Sequence, residues 1–235
     1  MSHVDYIYTT EDYIKSPKDQ FKRVFQWLQR NINNNNSSTF ELIDLGCARG
    51  ELIYFLNQNI ENVNFTGVDY SENLIKLANE LNNELNVCFV VGDVEEYKTD
   101  KKFDFLTTVG VIEYLDFPEK IVKKIGSLLK KGGKAFILNI FNEYDIDVRI
   151  RYRNNQYFNE YKSGWSLHSL KTFREILNQN DLKICKQEKF FPDFVLEPKE
   201  DPARSWMVKM PNGEFKYTNG LSQLYDAYVL EVEKI

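Results

Sequence analysis

Two rhythms alternate along the 235-residue chain. Short apolar runs ending in an acid or glycine read as strands, and apolar residues three or four apart read as helices. Phe21, Val24, Phe25, Leu28 and Ile32 form one stripe and predict an amphipathic helix over 17–32. Ser16-Pro17-Lys18-Asp19 opens it as a serine cap with proline in the first turn. Residues 40–45 predict the first strand, and Leu52, Ile53 and Leu56 the helix after it. Further strands are predicted over 64–69, 87–91, 103–109 and 134–140. Between them, Ser71 caps a helix with Leu74, Leu77, Ala78, Leu81 and Leu85 on one face. Pro118 opens another through Ile121, Val122, Ile125, Leu128 and Leu129, stopped by Gly132-Gly133.

From Phe141 to Leu167 the rhythm is lost, which suits a cap lying over a sheet. Ser169 starts a helix carrying Leu170, Phe173, Ile176 and Leu177, with Asn180 as its left-handed stop. A strand follows over 182–190, then a hairpin over 207–217 turning at Pro211-Asn212-Gly213. The last strand, 227–232, has no helix before it, which suits an antiparallel insertion. The predicted fold class is α/β, a doubly wound and mostly parallel sheet with an antiparallel last strand, plus an N-terminal helix and a small cap. Residues 1–235 are expected to form a single domain. Its parts are an N-terminal helix and cap (1–35), a core (36–140), a cap insertion (141–168) and the C-terminal half of the sheet (169–235), with Asn33 to Ser38 as a polar linker.

The first strand breaks into a turn of small residues, Asp44-Leu45-Gly46-Cys47-Ala48-Arg49-Gly50. Glycine admits backbone conformations closed to other residues, and a new helix points free N–H groups into the space beyond. This segment resembles the first motif of the class I S-adenosylmethionine (SAM)-dependent methyltransferases, with Ala48 in place of the middle glycine. The resemblance covers about residues 38–190 and implies a seven-stranded sheet whose last strand runs antiparallel between the fifth and sixth. It implies a SAM site at Asp44, Gly46, Cys47, Ala48 and Gly50, with Asp69 on the ribose, Tyr70 and Asp93 at the adenine, and the Val94 amide on the ring. Read from position alone, Asp69 is otherwise a helix-cap neighbour, Tyr70 equally a half-buried surface aromatic and Asp93 a turn residue. Val109-Gly110-Val111-Ile112-Glu113-Tyr114-Leu115 resembles the family's segment after the fourth strand, with Val109 and Gly110 beside the cofactor's methionine part. A nicotinamide turn fails because position 51 is glutamate, and a P-loop fails because no lysine follows Gly50.

Composition narrows the partners. Net charge is −5, so no global field draws nucleic acid or an anionic membrane. The Asn-Pro-Pro-Tyr motif of nucleic-acid amino-methyltransferases is absent after the fourth strand. Three scattered cysteines (Cys47, Cys88, Cys185) favour a reducing cytoplasm and no structural metal, and no apolar run reaches the ~18 residues of a membrane span. The expected partner is a small-molecule acceptor, methylated on oxygen or nitrogen by a monomer or homodimer. His168 and Glu113 are the candidate catalytic bases; His168 is otherwise a surface capping residue, and Glu113 otherwise orients cofactor or pairs with a lysine. Arg149, Arg151, Arg153 and Lys162, among Tyr144, Tyr152, Tyr157, Phe158, Tyr161 and Trp165, suit a phosphorylated or nucleotide-linked acceptor, or form a solvated basic face. The tail from Asp201 to Ala227 resembles methyltransferases of polysaccharide and sugar clusters. A SAM-binding domain without catalysis, or an N-methyltransferase of an amine, are the alternatives.

Overall fold

The computed structural model describes residues 14–34, 39–83, 87–156 and 158–235. The readings made for His3, Tyr6, Tyr8, Tyr13, Leu85 and Tyr157 lie outside them. Strands β1 (Phe40–Leu45), β2 (Val63–Asp69), β3 (Val87–Val91), β4 (Phe103–Val109) and β5 (Leu129–Asn142) pair in parallel. Short strands β6 (Arg151–Tyr152) and β7 (Lys162–Ser163) pair within the cap, and β8 (His168–Ser169) runs beside the end of β5. After β9 (Leu182–Phe190) come the hairpin strands β10 (Trp206–Lys209) and β11 (Phe215–Thr218), then β12 (Asp226–Lys234). The sheet order is β3-β2-β1-β4-β5-β12-β9, with β12 antiparallel to both neighbours. The order reverses between β1 and β4, and open parallel sheets leave their ligand crevice at the carboxyl ends there.

Strand residues alternate between two cores, as the period of two requires. Leu42, Phe105, Phe136, Leu138 and Val229 face one side with helices α1 (Asp19–Asn33) and α2 (Glu51–Asn59). Ile43, Leu106, Ala135, Ile137 and Leu230 face the other, against α4 (Pro118–Leu128) and α5 (Leu170–Asn178). Trp165, Leu167, Tyr217 and Tyr225 extend the first core outward, so cap and hairpin cover the α1–α2 face. Each fully buried aliphatic or aromatic side chain contributes ~1.5–3 kcal/mol.

Helix caps divide the local readings. Ser71 and Ser169 accept from the amides of Leu74 (3.2 Å) and Thr172 (3.0 Å), capping α3 (Glu72–Leu81) and α5 as expected. The first helix instead begins at Asp19, with Lys18 at its cap and no side-chain capping bond, so Ser16 is not the cap. Its buried residues are Phe21, Val24, Trp27 and Leu28, with Phe25 and Ile32 partly buried against the same core and Phe25 edge-on to Phe55 at 5.9 Å; Trp27 widens the expected stripe. Helix α4 ends at Leu128, before the glycines, and Gly132 takes φ 76 inside the irregular start of β5. Asp181, not Asn180, takes the left-handed φ of 56 after α5. Among the described residues no helix is long and apolar enough to cross a membrane, and no group of three His, Cys, Asp or Glu is placed to hold a metal ion.

Candidate active site

After β1 the chain passes through three left-handed residues within five, Gly46 (φ 78), Ala48 (φ 47) and Gly50 (φ 75). Both Gly46 and Cys47 amides donate to the Val68 carbonyl at the end of β2, at 2.8 and 3.0 Å. A Cβ on Gly46 would sit 2.4 Å from Val111 Cγ2, and one on Gly50 would sit 2.6 Å from the Phe89 ring. The glycines therefore admit protein side chains as well as any ligand. The Cys47 thiol points inward, its Sγ 2.9 Å from where a Cβ on Gly67 would be, so only the Cys47 backbone can meet a ligand. Burial, with the charges of Asp44 and Asp69, holds that thiol well above the usual range.

One acid anchors this turn, and a second ties β1 to β4 beside it. Asp69 is 6% exposed, and its oxygens accept from the Ala48 amide (2.9 Å) and the Ser71 amide (3.0 Å). One carboxylate thus ties the glycine turn to the start of α3. Asp44 lies beneath, buried, accepting from the Thr107 hydroxyl of β4 at 2.7 Å. Burial pushes its carboxyl up to about 7, the Thr107 bond opposes this and the Asp69 charge adds to it. A contact that no spacing announced is the Arg49–Glu51 pair, 2.7 Å at the first turn of α2 with Glu51 itself buried.

At the rim, Tyr70 is 64% exposed beside the end of β2. Asp93 follows β3 and is exposed, its Oδ1 accepting from the Glu95 amide at 2.8 Å as a turn aspartate does. Val94 is buried in the core next to it. Asp44, Asp69 and Asp93 therefore stand at the carboxyl ends of three neighbouring strands.

The segment after β4 links this turn to the cap. Val109 and Gly110 are half-buried, and Gly110 turns at φ 67. Glu113 Oε1 lies 3.5 Å from the position a Cβ on Gly110 would take, and Oε2 is buried with no hydrogen-bond partner. Burial pushes the Glu113 carboxyl up to about 7 against a bond to its own amide, and no opposite charge offsets it. Its carbonyl accepts from the Ser166 amide at 3.0 Å, fastening the cap to this segment. Beside it runs a row of rings: Tyr114 to Trp165 at 6.0 Å, Trp165 to Tyr225 at 6.0 Å, and Tyr225 stacked on Tyr217 at 6.0 Å. Burial raises the Tyr225 hydroxyl well above its ordinary range, and the Glu113 charge adds to the shift. Trp165 holds φ 60, a left-handed conformation that is uncommon for a bulky residue.

His168 has different surroundings. In β8 it is paired with Phe141, buried, with Nε2 unpartnered, among Asp147, Leu115, Glu119 and Arg149. Burial lowers its pKa, against the Asp147 charge and a bond to the Leu115 carbonyl. It is neither on the surface nor in the row of rings. The cap cations are already occupied: Arg151 reaches Asp116 at 2.5 Å, Arg149 lies 4.6 Å from the Phe117 ring, Arg153 5.5 Å from Tyr161 and Lys162 4.8 Å from Phe158. That arrangement favours the solvated basic face over a reserved phosphate site.

Residues 15–187 match the family described as a methyltransferase domain. The chain belongs to that family. Its motif and sheet order are those of the class I SAM-dependent group. It is similar to the probable (S)-tetrahydroprotoberberine N-methyltransferase 2 of Papaver bracteatum, 27% identical over 41% of this chain and 28% of that protein. It also resembles the malonyl-[acyl-carrier protein] O-methyltransferase of Priestia megaterium, 23% identical over 78% of this chain and 72% of that one. The chain thus spans less than a third of the first relative's length and about seven tenths of the second's. A solved SAM-dependent methyltransferase from Clostridium acetobutylicum shares the fold at a TM-score of 0.62 and 14% identity, covering 97% of this chain and 94% of that one.

Proposed function

We propose that the protein transfers a methyl group from SAM to an oxygen or nitrogen atom of a small molecule. The observation that carries this reading is the Asp69 carboxylate, which ends β2, the strand beside the sheet's order reversal, and fastens the left-handed turn at Ala48. The residues there fit the cofactor: a left-handed turn that offers backbone at Gly46, Cys47, Ala48 and Gly50, a strand-end acid for the ribose diol and an exposed ring for the adenine. Asp69 would take the ribose, while Tyr70, Asp93 and the Val94 amide would take the adenine. The backbone of Gly46, Cys47, Ala48, Gly50, Val109 and Gly110 would line the remainder, with Asp44 setting the turn from below. When bound, SAM supplies an electrophilic methyl group on a sulfonium centre.

What the protein adds is alignment and proton control. Holding two reactants in line supplies much of such a reaction's acceleration. Glu113, beside Gly110 and the row of rings, is better placed than His168 to manage a proton there. Relatives named as N- and as O-methyltransferases of different molecules support the reaction class more than any one acceptor. Calorimetry tests the reading: S-adenosylhomocysteine should bind in the micromolar range, near −8 kcal/mol, and NAD should not compete. Tighter binding of NAD would overturn it.

A further inference from the structure

We propose that the acceptor is an amine on an apolar or aromatic frame, and that Glu113 binds its ammonium form and takes the proton that must leave before nitrogen can attack. The inference rests on the methyl-transfer reading above and narrows it. Glu113 is 6% exposed, yet Oε2 has no partner and no cation offsets the group among the described residues. An ionised carboxylate without a partner is costly in such a place, and buried polar atoms are rarely left orphaned. The rings beside it carry negative faces that attract a cation and do nothing comparable for a neutral alcohol. Tyr114, Trp165 and Tyr225 form one continuous row, and Tyr225 feels the Glu113 charge. An ammonium ion neutralises that carboxylate and favours its ionised form, which a neutral alcohol does not.

Position supports the same occupant. Between Val111 and Tyr114 the chain passes from the glycine turn to the rings: Val111 abuts Gly46, Glu113 overlies Gly110, and Tyr114 meets Trp165. A group held by Glu113 is therefore next to the turn assigned to the methyl donor. The ion pair holds a protonated, unreactive nitrogen. Transfer of one proton converts R–NH3+ and the carboxylate into R–NH2 and the carboxylic acid, with charge conserved and the lone pair freed. Burial favours the neutral side of that exchange.

The test compares 2-phenylethylamine with 2-phenylethanol, which share a frame and differ in the heteroatom, by calorimetry on protein saturated with S-adenosylhomocysteine. The amine should bind at least tenfold more tightly than the alcohol. In Glu113→Gln that preference should vanish, while affinity for S-adenosylhomocysteine stays within about twofold. Equal binding of the two probes by the parent protein, or a preference that survives in Glu113→Gln, would overturn the proposal, and the first comparison needs no variant to fold. A tenfold loss of S-adenosylhomocysteine affinity in Glu113→Gln would also overturn it, by placing Glu113 on the cofactor's own ammonium group. Failure of the parent protein to bind S-adenosylhomocysteine at all is a separate result, which removes the methyl-transfer reading and this one with it.

Discussion

On the β1–β3 side of the crevice the buried acids are engaged by their own chain, and on the β4–β5 side under the cap the buried titratable groups each leave one atom without a partner. Asp69 accepts from two backbone amides and Asp44 from Thr107. Glu113 leaves Oε2 bare, and His168 leaves Nε2 bare. The first side is a frame whose polar groups hold the turn in shape, so changing them disturbs structure and binding together. The second side carries groups whose polar atoms the fold satisfies only in part. Substitutions on the two sides should therefore separate stability from turnover in opposite ways.

The largest effect is expected at Glu113. Glu113→Gln should lower turnover by ~10²–10⁴, the usual range for a lost proton acceptor, with melting temperature close to the parent's at pH 5 and not below it at pH 8, where the parent must ionise a buried carboxyl. His168→Gln should cost far less, because the imidazole is surrounded by Leu115, Asp147, Glu119 and Arg149 and not by the rings. Steady-state rates of the two variants with one amine acceptor check this. A larger loss at His168 would reverse the assignment.

Asp69→Ala comes next and should behave differently. From its strand-end position alone, Asp69 is expected to act on the cofactor with little effect on melting. Its bonds to the Ala48 and Ser71 amides change that expectation, because removing the carboxylate orphans two amides. Stability should fall by ~1–3 kcal/mol and S-adenosylhomocysteine affinity by ~1.5–3 kcal/mol. Thermal melts and calorimetry on the same preparation decide it, and an unchanged melt would show that the frame does not depend on this acid.

Legibility follows the same division. Strand and helix positions were readable because apolar periodicity is local, and β3, β4 and β9 fall on the expected residues. The acids at the ends of β1 and β2 were readable because a glycine turn and a strand end lie close together in the chain. The ring row was not, since Tyr114, Trp165 and Tyr225 meet only through tertiary folding of segments far apart in sequence. His168 was read as facing the crevice or the surface, since residue type carries no information about which side of β8 it occupies. Trp27 was missed because the helical period admits a stripe wider than the one Phe21, Val24, Phe25, Leu28 and Ile32 trace. Gly46 was read as clearing space for cofactor, but Val111 stands against it. Gly46→Val should thus unfold the turn as readily as it blocks a ligand.

Acid titration sharpens the comparison within each side. Asp44 and Glu113 have carboxyls raised to about 7 from ordinary values of 3.8 and 4.5. Between roughly pH 5 and 7 the folded protein holds protons there that the unfolded chain has released, so stability falls as pH rises through that window. Each group contributes on the order of 3 kcal/mol to the change. Asp44→Asn keeps an acceptor for Thr107 while removing one ionisation, and its melting temperature should decline less steeply from pH 5 to 8 than the parent's. Parallel curves would mean that Asp44 is not protonated in the folded state.

The smallest expected effect tests the frame at its most strained residue. Ala48 stands where the motif commonly has glycine, and it takes φ 47, a region that costs an L-residue ~1–2 kcal/mol. The Asp69 bond to the Ala48 amide at 2.9 Å is what holds it there. Ala48→Gly removes the strain but adds freedom to the unfolded chain, which costs ~0.4–1 kcal/mol. The balance is a gain of ~0.5 kcal/mol, or one to two degrees in melting temperature for a chain of this size. Ala48→Val adds β-branching at the same φ and should lose stability instead. The two variants together are diagnostic, since relief of strain and loss of side-chain packing predict opposite signs for glycine. A clear fall in the melting temperature of Ala48→Gly would mean that the methyl group packs usefully in the turn, and that the Asp69 anchor holds an unstrained loop.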